Sequence, residues 1–291
     1  METLHIAANS LVSGLLLGGV LALAALGLSI VLGVMGLVNL AHGEFVVAGG
    51  YLMLFVLQPF DIDPMLAFPL IAAIMAAIAL ALQRTLLRPL AGGPPESSMM
   101  TMFALSIVLQ NLYLTLFQAD TRSIQLPSSA QSVEVGPVSF GMIYLVGFLI
   151  SVLVIFAAHC LITSTQFGRD LRASAADPEA AEIVGVDVER VRGWTLALGA
   201  ACAALGGVLA GAIFGFTPIS GPAYLLNAFA IVVLGGLGNV FGTLVGGVVL
   251  GVLQSVGGVA FGDGYRDLVG LLVLLIILGL CPQGLMGRKH A

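Results

Sequence analysis

The chain has 291 residues, of which 59% are hydrophobic and only 9% are charged, whereas about a quarter of the residues in soluble domains are charged. Ten basic and 15 acidic residues cannot cover a soluble surface that also carries long apolar runs such as residues 11–38. The composition therefore excludes a soluble globular enzyme, a disordered chain and a nucleic-acid-binding protein. It predicts an integral membrane protein.

Apolar runs in chain order predict an all-α fold, a polytopic membrane helix bundle that forms a single transmembrane domain over residues 1–291. The predicted spans are residues 11–40, 45–57, 65–82, 99–117, 142–163, 193–216 and 268–280. The first run would be about 45 Å long as a helix, whereas the hydrocarbon core is about 30 Å thick. This span must therefore tilt or break, and Gly33 and Gly36 offer the break before the polar residues that begin at Asn39.

A second broken region lies in the apolar residues 223–260, which are too long for one span and too short for two spans with a loop. The sequence there is interrupted by four residues with small or polar side chains, Gly235, Gly236, Gly238 and Asn239. It predicts a pair of short half-spans or a re-entrant hairpin buried against protein. The total is eight or nine crossings, and the range reflects the two broken regions.

The positions of lysine and arginine predict the orientation. Four of the ten basic residues lie in residues 164–192, two are Arg84 and Arg88, and two are Arg288 and Lys289 in the tail. By the positive-inside rule the central loop and the C-terminus are cytoplasmic. The loops at residues 61–64, 120–136, 217–222 and 262–267 then face outward.

The central loop contains start and stop signals for a two-turn helix over residues 178–184. Asp177 is a good N-cap, Pro178 suits the first helical position, and Gly185 suits the left-handed residue after the last turn. Three apolar side chains then share one face, those of Ala180, Ile183 and Val184. The helix either binds in a groove of a partner or lies on the bundle's own cytoplasmic face.

Polar residues inside predicted spans are candidates for a transport pathway or gate. Asn39, His42 and Glu44 form the sharpest cluster, because an ionisable group in a membrane segment indicates a functional site. The alternative is an interfacial turn near the cytoplasmic surface in which Glu44 caps the next helix, and the predicted topology favours it. Gln110, Asn111 and Tyr113 could line a pathway in the fourth span or bond helix carbonyls.

The sequence also indicates that energy comes from another chain. It has no G-x-x-x-x-G-K-[ST] phosphate-binding loop, and its only lysine is Lys289. No catalytic motif is present, and Cys160, Cys202 and Cys281 have no metal-ligand or disulfide spacing. We therefore expect no cofactor, no metal site and no enzymatic activity in this chain.

Four segments together resemble a known family. Residues 179–185, Glu-Ala-Ala-x-x-x-Gly, look like the EAA loop of bacterial ABC importer permeases. Residues 39–45, residues 234–239 followed by Gly242, and residues 282–285 are similar to the permeases of branched-chain amino acid importers. The chain departs from the wider EAA pattern at residues 194–197, where Leu-Pro is absent. The resemblance covers nearly the whole chain.

The resemblance implies a multi-pass permease of the bacterial inner membrane for branched-chain or other hydrophobic amino acids. It implies four kinds of partner: a second permease subunit, identical or related, two cytoplasmic ATPases and an external substrate-binding protein. The central-loop helix would be the coupling helix on the ATPase, with a contact segment of Asp177, Pro178, Glu179, Ala180, Ala181, Ile183, Val184 and Gly185. ATP-driven closure would then rock the bundle between alternating access states.

Two alternatives remain open from the sequence. A permease for urea or short amides has the same architecture and shares these motifs. An ion-coupled secondary carrier would instead use His42 and Glu44 as a proton relay and would need no ATPase.

Overall fold

The computed structural model describes residues 2–36, 38–60, 64–90, 93–136, 138–280 and 286. Over these residues the helices are α1 Glu2–Met35, α2 His42–Phe60, α3 Pro64–Leu82, α4 Pro95–Phe117, α5 Met142–Ser164, α6 Gln166–Ala176, α7 Pro178–Ile183, α8 Val188–Phe214, α9 Gly221–Gly235, α10 Val240–Phe261 and α11 Arg266–Leu280. Strands β1 Ser132–Val135 and β2 Val138–Gly141 form an antiparallel hairpin. The motif at residues 282–285 and the tail residues Arg288 and Lys289 lie outside the described residues.

The predicted helical membrane bundle is confirmed. Six helices in the described part of the chain are long and apolar enough to cross a membrane: His5–Met35, Leu66–Leu90, Glu96–Phe117, Met142–Ser164, Val188–Ile213 and Val240–Phe261. The 15 residues of α9 are too few to cross the hydrocarbon core as a straight helix. The predicted total of eight or nine crossings stays a prediction.

Helices α1 and α8 form the centre of the bundle. The most apolar stretch of α1 is 89% buried and that of α8 is 78% buried, whereas α4 is only 11% buried. Glycine residues allow α1 to take this central position. They let α1 and α10 run antiparallel with their backbones in contact. A Cβ added to Gly18 would lie 2.4 Å from the Cα of Val248, and one added to Gly14 would lie 2.8 Å from that of Val252. Close packing of this kind holds helices together in a membrane.

The N-terminal boundary of the first span was predicted too late, at residue 11 instead of Glu2. The polar residues before the apolar run have partners that the hydropathy pattern cannot show. The Ser10 hydroxyl donates to the carbonyl oxygen of Ile6 at 2.9 Å, and the Asn9 Oδ1 atom accepts from the Ser139 amide in β2 at 3.0 Å.

Both predicted breaks are present. Helix α1 ends at Met35, and Gly36 has a φ of +63°, a conformation that suits glycine. Between α9 and α10 the turn contains Gly236 and Gly238, with φ of +91° and +71°. The predicted pair of short half-spans or re-entrant hairpin corresponds to a short α9 of 15 residues and an α10 of 22 residues that is long enough to cross.

Three polar or irregular elements were missed because they lack an apolar run. They are the hairpin of β1 and β2, the amphipathic helix α6, and a π-helical turn at Gln83–Leu87 that continues into a 3₁₀ turn at Arg88–Leu90. Of these, α6 matters most for function, since it leads directly into α7.

Candidate coupling and translocation sites

The central loop folds into two consecutive helices, each with a side-chain cap. The Thr165 hydroxyl accepts from the Gly168 amide at 3.2 Å and begins α6. The Asp177 carboxylate accepts from the Ala180 amide at 3.1 Å and begins α7, which ends before Gly185 with φ of +91°. The helix predicted over residues 178–184 is therefore present, one residue shorter, with the predicted cap and the predicted left-handed glycine.

The two faces of α7 differ sharply in exposure. Ile183 is 85% exposed and Val184 is 77% exposed, whereas Ala181 is only 3% exposed. The chain itself therefore covers neither Ile183 nor Val184. Ala181, which we predicted at the ATPase contact, instead faces inward, because α7 packs against α6 and α8. The remaining predicted contact residues, Asp177, Pro178, Glu179, Ala180 and Gly185, are exposed.

Asn39, His42 and Glu44 come together at the start of α2, and each is at most 4% exposed. The Asn39 Oδ1 atom accepts from the Ala41 amide at 3.0 Å. His42 donates through Nε2 to the carbonyl oxygen of Ala24 at 2.8 Å. Ala24 lies eleven residues before the end of α1, which is about 16 Å along a helix. The chain therefore returns into the bundle after α1, and His42 reaches the interior of that helix.

The Glu44 carboxylate points at α9. A Cβ added to Gly221, the first residue of α9, would lie 2.0 Å from Glu44 Oε1, so the carboxylate occupies the space of a missing side chain. The Tyr113 hydroxyl donates to the backbone carbonyl of Glu44 at 3.2 Å. The Tyr51 ring lies 5.6 Å from that of Tyr113 between centroids. Tyr113 was predicted as a possible pathway residue, whereas Tyr51 was not, although it lies two helical turns after Glu44 on the same face.

The glycine-rich turn lies beside the end of α1. A Cβ added to Gly33 would lie 2.6 Å from the Cα of Gly238. The Asn239 side chain caps α10 by accepting from the Gly242 amide at 3.0 Å. Gly235 and Gly242 face each other so closely that a Cβ on Gly235 would lie 2.2 Å from the Gly242 carbonyl oxygen. Gly236, which follows the last residue of α9, is buried, whereas Leu237 and Gly238 are exposed. The prediction of a segment buried against protein therefore holds at Gly235 and Gly236 but not at the tip of the turn.

Gln110 and Asn111 do not join either group. Asn111 is exposed, and its Nδ2 donates to the carbonyl oxygen of Ile107 in the same helix at 2.8 Å. Gln110 lies beside it on α4, the least buried of the six long apolar helices. The alternative in which such side chains satisfy helix carbonyls fits Asn111.

The described residues contain two candidate sites and no metal centre. Within the described residues no group of three His, Cys, Asp or Glu side chains could hold a metal ion. The structure instead offers an exposed apolar pair on a loop and a buried polar cluster inside the bundle.

Comparison with known proteins decides the family. Residues 10–278 match the family described as the branched-chain amino acid transport system permease component. The chain belongs to this permease family. The resemblance inferred from the four motifs is confirmed, and the chain is a transport component rather than an enzyme.

Two relatives match the permease over nearly their whole length. The high-affinity branched-chain amino acid transport system permease protein BraD of Pseudomonas aeruginosa is 32% identical, over 97% of this chain and 96% of BraD. The corresponding protein LivH of Escherichia coli K12 is 31% identical, over 96% of this chain and 94% of LivH. Such coverage leaves no large domain unmatched on either side.

A solved structure supports the fold. PsaBC from Streptococcus pneumoniae in complex with Fab aligns with a TM-score of 0.50 and 13% identity, over 96% of the permease and 93% of that chain. At this identity the likeness concerns the fold alone. It agrees with a multi-pass helical membrane protein.

Proposed function

We propose that the permease is one half of the transmembrane part of an ATP-driven importer for branched-chain or other hydrophobic amino acids. One observation carries the substrate class: BraD and LivH, both named as high-affinity branched-chain amino acid permeases, match almost the entire chain. The importer would also contain a second permease, identical or related, two ATPases and an external substrate-binding protein.

The ATPase is proposed to dock on residues 177–185 of the 164–192 loop. The support is the exposed apolar pair Ile183 and Val184 at the end of a capped helix, since a helix that presents apolar side chains to water suits a hydrophobic groove. Ala181 would support this helix from behind. Closure of the ATPase dimer would then move α7 together with α6 and α8, against which it packs.

The central loop is proposed to face the cytoplasm of a bacterial cell, with the permease in the inner membrane. Two of the basic segments lie at the same end of the bundle, because Gln83, beside Arg84, contacts the start of α8. A Cβ added to Gly193 would lie 3.5 Å from the Cγ atom of Gln83. A common end for these segments is what the positive-inside rule requires.

The translocation pathway is proposed to involve the two broken regions. One contains Asn39, His42 and Glu44, and the other contains Gly235, Gly236, Gly238 and Asn239. Interrupted helices are where transporters place their substrate sites, because non-helical backbone offers free polar groups inside the bundle.

The test is uptake of radiolabelled leucine by proteoliposomes that contain the permease, its partner permease, the ATPases and the binding protein. We expect uptake that requires ATP and every component. Uptake by the permease alone under a pH gradient would instead establish a secondary carrier. Uptake of labelled urea but not leucine would establish the amide permease.

A further inference from the structure

Glu44 is an unusual residue for the centre of a membrane bundle. Of the Asp and Glu residues whose side chains the structure describes, only Glu44 is buried, with 1% of its surface exposed. Its Oε2 atom has no hydrogen-bond partner. The two ion pairs among the described residues, Arg122 with Asp120 and Arg192 with Glu189, do not involve it.

The surroundings of Glu44 stabilise a negative charge only in part. Its carboxylate lies at the first residue of α9, where a helix carries partial positive charge. That partial charge does not replace a cation, and a buried carboxylate without a full partner is strongly unfavourable. In membrane bundles such groups mark the paths of ions and substrates.

Two tyrosines continue from Glu44 along one face of α2: the Tyr113 hydroxyl contacts the Glu44 backbone, and the Tyr51 ring lies 5.6 Å from the Tyr113 ring between centroids. The Tyr51 hydroxyl is buried and has no hydrogen-bond partner, while its ring stacks on Phe117 with centroids 3.9 Å apart. A buried polar atom without a partner in a native protein calls for an explanation, and here two occur on one face of α2.

We propose that Glu44 is the residue that binds the ammonium group of the transported amino acid as it passes through the bundle. This inference rests on the proposed function. A single carboxylate, with hydroxyl oxygens and aromatic rings further along the same helix face, suits a monovalent organic cation, whereas Ca²⁺ or Mg²⁺ requires six or more oxygen ligands. The path would run along α2, from Tyr51 to Glu44 at the start of α9.

The main test is Glu44→Gln in the complete importer in proteoliposomes, because glutamine keeps the shape and removes the charge. We expect at least a tenfold loss of labelled leucine uptake, with normal co-purification of the ATPase and an unchanged melting temperature. Glu44→Asp keeps the charge and should transport more than Glu44→Gln. The matched control is Ser151→Ala, which removes another buried side-chain oxygen without a partner, on α5, and should not change uptake.

Several results would overturn this inference. Normal leucine uptake by Glu44→Gln would do so, and so would uptake by Glu44→Asp no higher than that of Glu44→Gln. A lower melting temperature for an assembled Glu44→Gln variant would show that the carboxylate only holds the bundle together. If Glu44→Gln does not assemble, the Tyr51→Phe variant decides, because it removes only the unpartnered hydroxyl. Reduced leucine uptake by Tyr51→Phe would support the proposed path. Normal uptake would overturn the proposal.

The source of the cation is tested by replacing the sodium salt outside the vesicles with sucrose, because an organic cation such as choline could itself bind the site. Unchanged uptake by the wild-type importer supports the substrate's ammonium group, whereas abolished uptake would assign Glu44 to Na⁺ and overturn the proposal. Failure of the proposed function can be told apart from failure of the Glu44 proposal. In the first case the wild-type importer would not transport leucine at all.

Discussion

A substitution at Ile183 can test docking of the ATPase without disturbing the fold of the permease. The Ile183 side chain is 85% exposed, so Ile183→Asp should leave the permease folded and inserted. If Ile183 enters a groove on the ATPase, the new carboxylate is buried there without a partner, which costs several kcal/mol and weakens association more than a hundredfold. Co-purification of the ATPase and ATP-dependent uptake measure the effect.

The control for Ile183→Asp is Ala130→Asp, at an exposed position in the loop between α4 and β1, which should be silent. Ala181→Asp is unsuitable, because Ala181 is buried within the loop and the variant would disturb the permease itself. Normal co-purification and uptake with Ile183→Asp would remove α7 from the ATPase contact.

Asp177 should stabilise α7 through its cap alone. Asp177→Ala removes the acceptor for the Ala180 amide, and loss of such a cap costs about 1 kcal/mol. We expect faster hydrogen exchange of the amides of α7 and lower ATPase affinity, with the bundle unchanged. The control is Glu182→Ala, which removes an exposed carboxylate that does not cap the helix. It should not change the hydrogen exchange of the amides of α7. Equal exchange in both variants would show that the cap does not hold α7.

At the scale of helices, the contact between α9 and α10 depends on glycine. In Gly235→Ala the new methyl group would lie 2.2 Å from a backbone oxygen of α10, so the two helices must separate. Overpacking of this kind costs about 1–3 kcal/mol, and the melting temperature of the purified permease should fall. Gly264→Ala meets nothing within 4 Å and should not lower it. Equal melting temperatures for Gly235→Ala and Gly264→Ala would mean that α9 and α10 can separate without loss of stability.

The elements that were predicted well are those with local signals. The start of α7 depends on a side chain that reaches an amide three residues later, and the break at Gly36 depends on its own backbone conformation. The burial of Ala181 and of Glu44 was not predictable, because each is decided by packing against other helices: α6 and α8 for the helix of Ala181, and α9 at Gly221 for Glu44. Helix α6 and the hairpin were missed because polar elements leave no hydropathy signal.

At the scale of the molecule, orientation can be measured directly. In a chain whose Cys160, Cys202 and Cys281 are replaced by alanine, single cysteines at the exposed positions Ala176 and Ser123 should react with a membrane-impermeant maleimide from opposite sides. Ala176 should react only in inside-out vesicles, because arginines surround it on the central loop. Reaction of both from one side would contradict the proposed topology.

The central position of α1 has a consequence for how the permease is made. Helix α1 leaves the ribosome first, yet the two helices that contact it most, α8 and α10, come late in the chain. Its contacts join residues as far apart as Gly14 and Val252. At about 5–20 residues per second, the ribosome needs tens of seconds to supply α8 and α10. During that interval the glycine-lined surface of α1 lies in lipid or against an insertase without its native neighbours. Nascent chains that stop before α8 should therefore be substrates for membrane proteases.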